Sequence, residues 1–140
     1  MSIRNRILLL AGLSMLGGQV ARAQSLFEDL GDKPGIERLI DRAMTIWNAD
    51  PRGGPTFSET NIPRFKRIIV EQICNISGGG CRYTGRSMAE AHKGLHLANV
   101  QFNAIAEDLQ TAMEQEHYPY SVQNRLLALL APMQRDVVTR

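Results

Sequence analysis

Two of the chain's three histidines, His92 and His96, stand four residues apart in "AHKGLH". On one helix that spacing puts both rings on one face, and neutral imidazole is the commonest metal ligand among side chains. The pair alone is too small for a closed zinc site, which as a rule takes four ligands. No H-E-x-x-H is present, and Gly94, between the two histidines, weakens the helix that would keep them in register. Three readings stay open on spacing: a shared ion, one ligand beside a bystander, or two surface residues. Cys74 and Cys81 enclose a glycine turn in "CNISGGGC". They are too far apart for C-x-x-C and lack the C-x-x-C-H of covalent haem attachment. In an oxidising compartment such a pair reads as a disulfide before it reads as a metal site. Met44, Phe57 and Phe65 are core residues by default, and Met44 becomes a thioether ligand only if a metal cofactor lies against its helix face. The turns "GGG" and "TGR" follow no strand and do not read as phosphate loops, and no Ser-His-Asp or Cys-His grouping emerges.

The elements that must position these residues are helices. "SMAE" (Ser87 to Glu90) matches the S-x-x-E capping box and opens a short helix that carries His92 and stops at Gly94. "KPGIERLIDRAMTIWNAD" places Ile36, Leu39, Ile40, Ala43, Met44 and Trp47 on one helical stripe, which "ADPRGGPT" ends. Asn61 caps a second long helix with Pro63 in its first turn and Phe65, Ile68, Ile69, Ile73 and Ile76 on its apolar face. Asn99 caps a third with Phe102, Ile105, Ala106, Leu109 and Met113, and "HYPY" breaks it. Ser121 opens a last helix bearing Val122, Leu126, Leu129, Leu130, Met133 and Val137, bent near Pro132. No β-alternating segment of useful length is present, so the fold class is all-α.

The chain's 140 residues hold one domain. Arg4 and Arg6 precede the run "ILLLAGLSML", and "ARA" (Ala21 to Ala23) offers small residues two apart, the pattern of a secretory signal. The run is short for a membrane span, so an uncleaved anchor is the second reading. We expect residues 1–23 to be a leader and 24–140 the domain, exported, with a periplasmic location and no membrane contact after cleavage. Three of the 16 basic residues (Arg4, Arg6, Arg22) and none of the 14 acidic ones fall in that leader, so the remaining chain is slightly acidic. The basic balance therefore implies no nucleic-acid partner.

From Ser25 to Val138 the sequence resembles the group I truncated haemoglobins, in "LFEDLGDKPGIERLIDR", "ADP", "FSETNIPRFK", "SGGGCRYTGRSMAEAHKGL" and "LAPMQRDVV". The resemblance implies a two-on-two helical sandwich around non-covalent haem b. It puts the proximal iron ligand at His92, an aromatic contact at Phe57 and pocket contacts at Met88 and at Tyr83 of "YTGRSM". One haem face offers one axial position, so His96, where the family often has glycine, is expected outside the helix, exposed or near a propionate. The distal side departs from the family. "AM" (Ala43, Met44) stands where members commonly have "FY", and Phe65 and Ile69 stand where they commonly have glutamine. Each lost donor removes roughly 1 to 3 kcal/mol from bound dioxygen. The resemblance so amended implies a diatomic-gas binder favouring nitric oxide or carbon monoxide. Two alternatives remain: an electron carrier with His92/Met44 ligation serving an unidentified redox partner, and a nitric-oxide dioxygenase or peroxidase.

Overall fold

The computed structural model describes residues 22–140, so the expected leader lies almost wholly outside the described residues. Seven α-helices follow in order: α1 (Leu26–Asp29), α2 (Asp32–Ala49), α3 (Ile62–Ile76), α4 (Met88–His92), α5 (Asn99–Gln115), α6 (Tyr120–Leu130) and α7 (Gln134–Val137). Short 3-10 turns at Gly54–Phe57 and Ala131–Met133 complete the order, and no strand occurs among the described residues. The all-α expectation therefore holds.

Helix α2 is the spine of the molecule and packs against both α3 and α5. Its predicted stripe is the buried one: Ile36, Leu39, Ile40 and Ala43 are fully buried and meet Ile73, Ala112, Met113 and Leu126 in one core. The start of α2 is locked from a distance. The Tyr118 hydroxyl donates to the Leu30 carbonyl at 2.7 Å, tying the α5–α6 turn to the α1–α2 junction. Gly35 sits where any Cβ would collide with that same Leu30 carbonyl oxygen, so the tight junction requires glycine.

Helix α3 begins where its signals place it. Asn61 accepts from the Arg64 N–H at 3.0 Å, with Pro63 in the first turn. Two boundaries differ from the sequence expectation. Helix α5 is capped at Ala98, whose N–H donates to the Gln101 side chain at 2.9 Å, so the reaching glutamine replaces the expected Asn99 cap. The last helix is broken rather than bent. Pro132 has no N–H to give and clashes with the preceding turn, so α6 ends at Leu130 and α7 restarts at Gln134.

Candidate haem-binding site

A cavity of about 630 Å³ opens between α2, α3, α4, α5 and the C-terminal turns. That is within the roughly 300 to 1,000 Å³ of small-molecule and cofactor pockets. Its walls are mostly apolar: Ile40 and Trp47 from α2, Phe65, Ile68 and Ile69 from α3, Phe102, Ile105 and Leu109 from α5.

His92 lines this cavity, half-buried, as the last residue of α4. Local sequence sets it there. Ser87 Oγ accepts from the Glu90 N–H and Glu90 reaches back to the Ser87 N–H, both at 3.3 Å, which fixes the first turn. Lys93 leaves the helical region at once and Gly94 has φ 79°, so the helix stops at His92 itself. The His92 Nδ1 lies 2.8 Å from the Met88 carbonyl oxygen. A carbonyl can only accept, so Nδ1 carries the proton and Nε2 keeps its lone pair. An imidazole oriented in this way, at an apolar cavity, is what ligation of iron from one side requires.

His96 is in a different environment. It is exposed, has φ 51° and lies beyond α4, outside the cavity lining. Among the described residues no three His, Cys, Asp or Glu side chains come together as a metal-ion site. The equivalence that spacing suggested is therefore absent from the fold.

The cavity also brings together Phe57, Phe65, Ile69, Met88 and Tyr83. Phe57 and Phe65 meet edge to face with centroids 5.3 Å apart, and Trp47 stacks on Phe57 at 6.0 Å. The Trp47 Nε1–H donates to the Ile105 carbonyl at 3.0 Å, so the indole is already partnered within the protein. Tyr83 donates its hydroxyl to the Arg86 carbonyl at 2.6 Å, and burial pushes its phenol pKa up. A Cβ on Gly85 would collide with the Tyr83 ring, so this turn also needs its glycine.

Met44 is placed differently from the other expected pocket residues. It is 4 % exposed within the core and does not line the cavity. At about 100° per residue, Ile40 and Trp47 lie close together on one edge of the α2 stripe, while Met44 is rotated about 40° to 60° away from them. The stripe is wide enough for its residues to differ in this way.

Several lining residues escaped the sequence reading. Gln72 is 8 % exposed and presents its Nε2 to the sulfurs of Met88 and Met133 at 3.5 Å. Its position, three after Ile69 and seven after Phe65, places it on the apolar stripe, and only its polarity hid it. Arg64 and Arg86 also line the cavity. Their guanidiniums are the groups that would take the carboxylates of haem b, while the apolar walls would take its ring. The residues present thus fit that cofactor. Cys74 and Cys81 are bonded, with Cα atoms 5.6 Å apart, and fasten the segment that leads to α4 onto the end of α3.

Comparison with known proteins agrees. Residues 25–139 match the family model described as bacterial-like globin. The group 1 truncated hemoglobin of Nostoc sp. is 32 % identical over 89 residues, covering 64 % of this chain and 75 % of that protein. The one from Tetrahymena pyriformis is 25 % identical, covering 84 % and 97 %. The crystal structure of the T. pyriformis truncated hemoglobin in its Fe(III) form superposes with a TM-score of 0.80 at 25 % identity, covering 84 % of this chain and all of that one. The Synechococcus 2/2 hemoglobin, in the cyanomet state with covalently attached heme, gives 0.79 at 26 % identity, with 84 % of this chain covered. The all-helical core is thus the two-on-two globin sandwich, its cofactor is haem b, and its general capacity is haem-based binding of diatomic gases. A haem-sized cavity, a tautomer-fixed histidine and a match across nearly all the described residues converge on one conclusion: the chain belongs to the bacterial-like globin family, with the group 1 truncated haemoglobins.

Proposed function

We propose that this is an exported globin in which His92 is the proximal iron ligand and an apolar distal side favours nitric oxide and carbon monoxide over dioxygen. The observation that carries the reading is the hydrogen bond from His92 Nδ1–H to the Met88 carbonyl, which leaves Nε2 free at the cavity. Haem b, when bound, supplies the ferrous iron at which the gas binds. The chain's own residues do the rest. Met88 orients the imidazole, and the Phe57–Phe65–Trp47 cluster with Ile69 excludes water and offers no donor toward a bound gas. Partial negative charge on bound dioxygen then goes unmatched, while carbon monoxide and nitric oxide lose little.

The inward-turned core position of Met44 counts against the electron-carrier reading, which needs that thioether at the iron. Export rests on the Arg4/Arg6 and "ARA" pattern, with residues 24–140 as the secreted domain. The Cys74–Cys81 bond is of the kind that persists in oxidising compartments, which supports a periplasmic location. The test of the ligand assignment is haem retention. The reconstituted ferrous protein should show a five-coordinate spectrum that shifts on adding carbon monoxide. His92→Ala should abolish haem retention and His96→Ala should leave it unchanged; the reverse pattern overturns the assignment.

A further inference from the structure

We propose that Glu71 of α3 is a positioning residue for His92, acting by holding the segment that delivers α4 to the cavity. This rests on His92 as the iron ligand. Residues 82–86 make no backbone-to-backbone hydrogen bond with any other described residue, so side chains must fix them.

From α3, Glu71 supplies most of what they have. Its carboxylate accepts from the Thr84 N–H at 3.0 Å and from the Thr84 hydroxyl at 2.6 Å. Arg67, one turn earlier, donates to the same carboxylate at 2.6 Å and to the Thr84 hydroxyl at 3.2 Å. The Glu71 side chain is 17 % exposed, while its partners Arg67 and Thr84 face solvent. Hydrogen bonds from Thr84 hold the carboxyl below the usual carboxylate range, as an engaged anion requires.

The chain of contacts then runs without interruption to the ring. Thr84 is followed by Gly85 and by Arg86, whose carbonyl accepts from Tyr83. Ser87 caps α4 against Glu90, and Met88 holds the His92 Nδ1. The disulfide and the Asn75 Nδ2–H bond to the Cys81 carbonyl, at 2.8 Å, fasten the far end of the segment. They act at Cys81, eleven positions before His92, whereas Glu71 acts at Thr84, eight before it. Glu71 therefore acts nearer the ligand along the chain than the disulfide does, and of the α3 contacts only that of the Gln72 Nε2 to the Met88 sulfur, at 3.5 Å, lies closer.

The test uses ferric holoprotein, with haem transfer to excess apomyoglobin as one readout and the iron–histidine stretching band of the ferrous form as the other. Removing a partner that supports a metal ligand typically costs about 10- to 100-fold in affinity, so Glu71→Ala should speed haem loss by about tenfold or more. The stretching band should shift or broaden with it. Glu71→Gln, which can still accept from Thr84, should fall between, and Glu37→Ala on the exposed face of α2 should match wild type. If Glu71→Ala does not fold, Thr84→Val removes the hydroxyl contact from the other side and decides the matter. Wild-type loss rate and band in a folded Glu71→Ala or in Thr84→Val overturn the proposal. Failure of the ligand reading looks different: His92→Gly would keep the iron–histidine band without added imidazole.

Discussion

The two sides of the cavity are built from opposite materials. The His92 side is a disulfide, Cys74–Cys81, followed by a run of directed polar contacts: Glu71–Thr84, Tyr83–Arg86, Ser87–Glu90 and Met88–His92. The facing side is a cluster of rings and branched chains, Trp47, Phe57, Phe65 and Ile69, with its indole N–H turned into the protein. On the function proposed above, directed bonds would fix the angle of one ligand and apolar packing would fix what approaches it. Helix α3 contributes to both sides, through Phe65 and Ile69 to one and through Glu71 and Cys74 to the other.

The sharpest way to break this division is to put a donor on the apolar side. Phe65→Gln should slow dioxygen release by about 5- to 150-fold, the equivalent of one donor worth about 1 to 3 kcal/mol, and leave carbon monoxide release nearly unchanged. Stopped-flow release measurements check it; equal effects on both gases would mean that Phe65 acts by size alone. A smaller effect is expected at Trp47. Trp47→Phe removes the bond to Ile105 and should cost about 0.5 to 1.5 kcal/mol in denaturant unfolding. Gas release should be unaltered, and a large change in dioxygen release would make the indole a ligand donor after all.

The smallest effect lies away from both sides. Asp108 is 7 % exposed, its Oδ2 has no hydrogen-bond partner, and burial followed by the neighbouring Asp50 carboxylate raises its pKa. Arg52 opposes the shift and Glu107 adds to it. A carboxyl whose folded pKa is raised contributes fully below its unfolded value of 3.8, and that contribution is lost as pH rises through the folded value. Asp108→Asn should therefore raise the melting temperature by a few degrees at neutral pH, with the gain fading in acid. Thermal melts across pH check this, and a gain independent of pH would exclude the charge as its cause.

Much of the fold was legible because period and punctuation agree. The α2 and α3 stripes, the Asn61 and Ser87 caps and the stop at Gly94 are local signals, and each marks a real boundary. What remained hidden depends on rotation and partners. Met44 belongs to its stripe, yet whether a stripe residue faces cavity or core is decided by the neighbouring helices. Gln72 and Glu71 carry polar side chains on α3, and nothing local announces that one lines the cavity while the other grips Thr84, thirteen residues on. Gln101 outcompetes the expected Asn99 cap because a glutamine two residues further along the chain can reach back to the Ala98 N–H.

The most direct measurement is the resonance Raman spectrum of the ferrous, unliganded protein reconstituted with haemin. Wild type and His96→Ala should show an iron–histidine stretching band that disappears in His92→Gly and returns with added imidazole. A band that survives His92→Gly, or a six-coordinate spectrum that becomes five-coordinate in Met44→Ala, would contradict it.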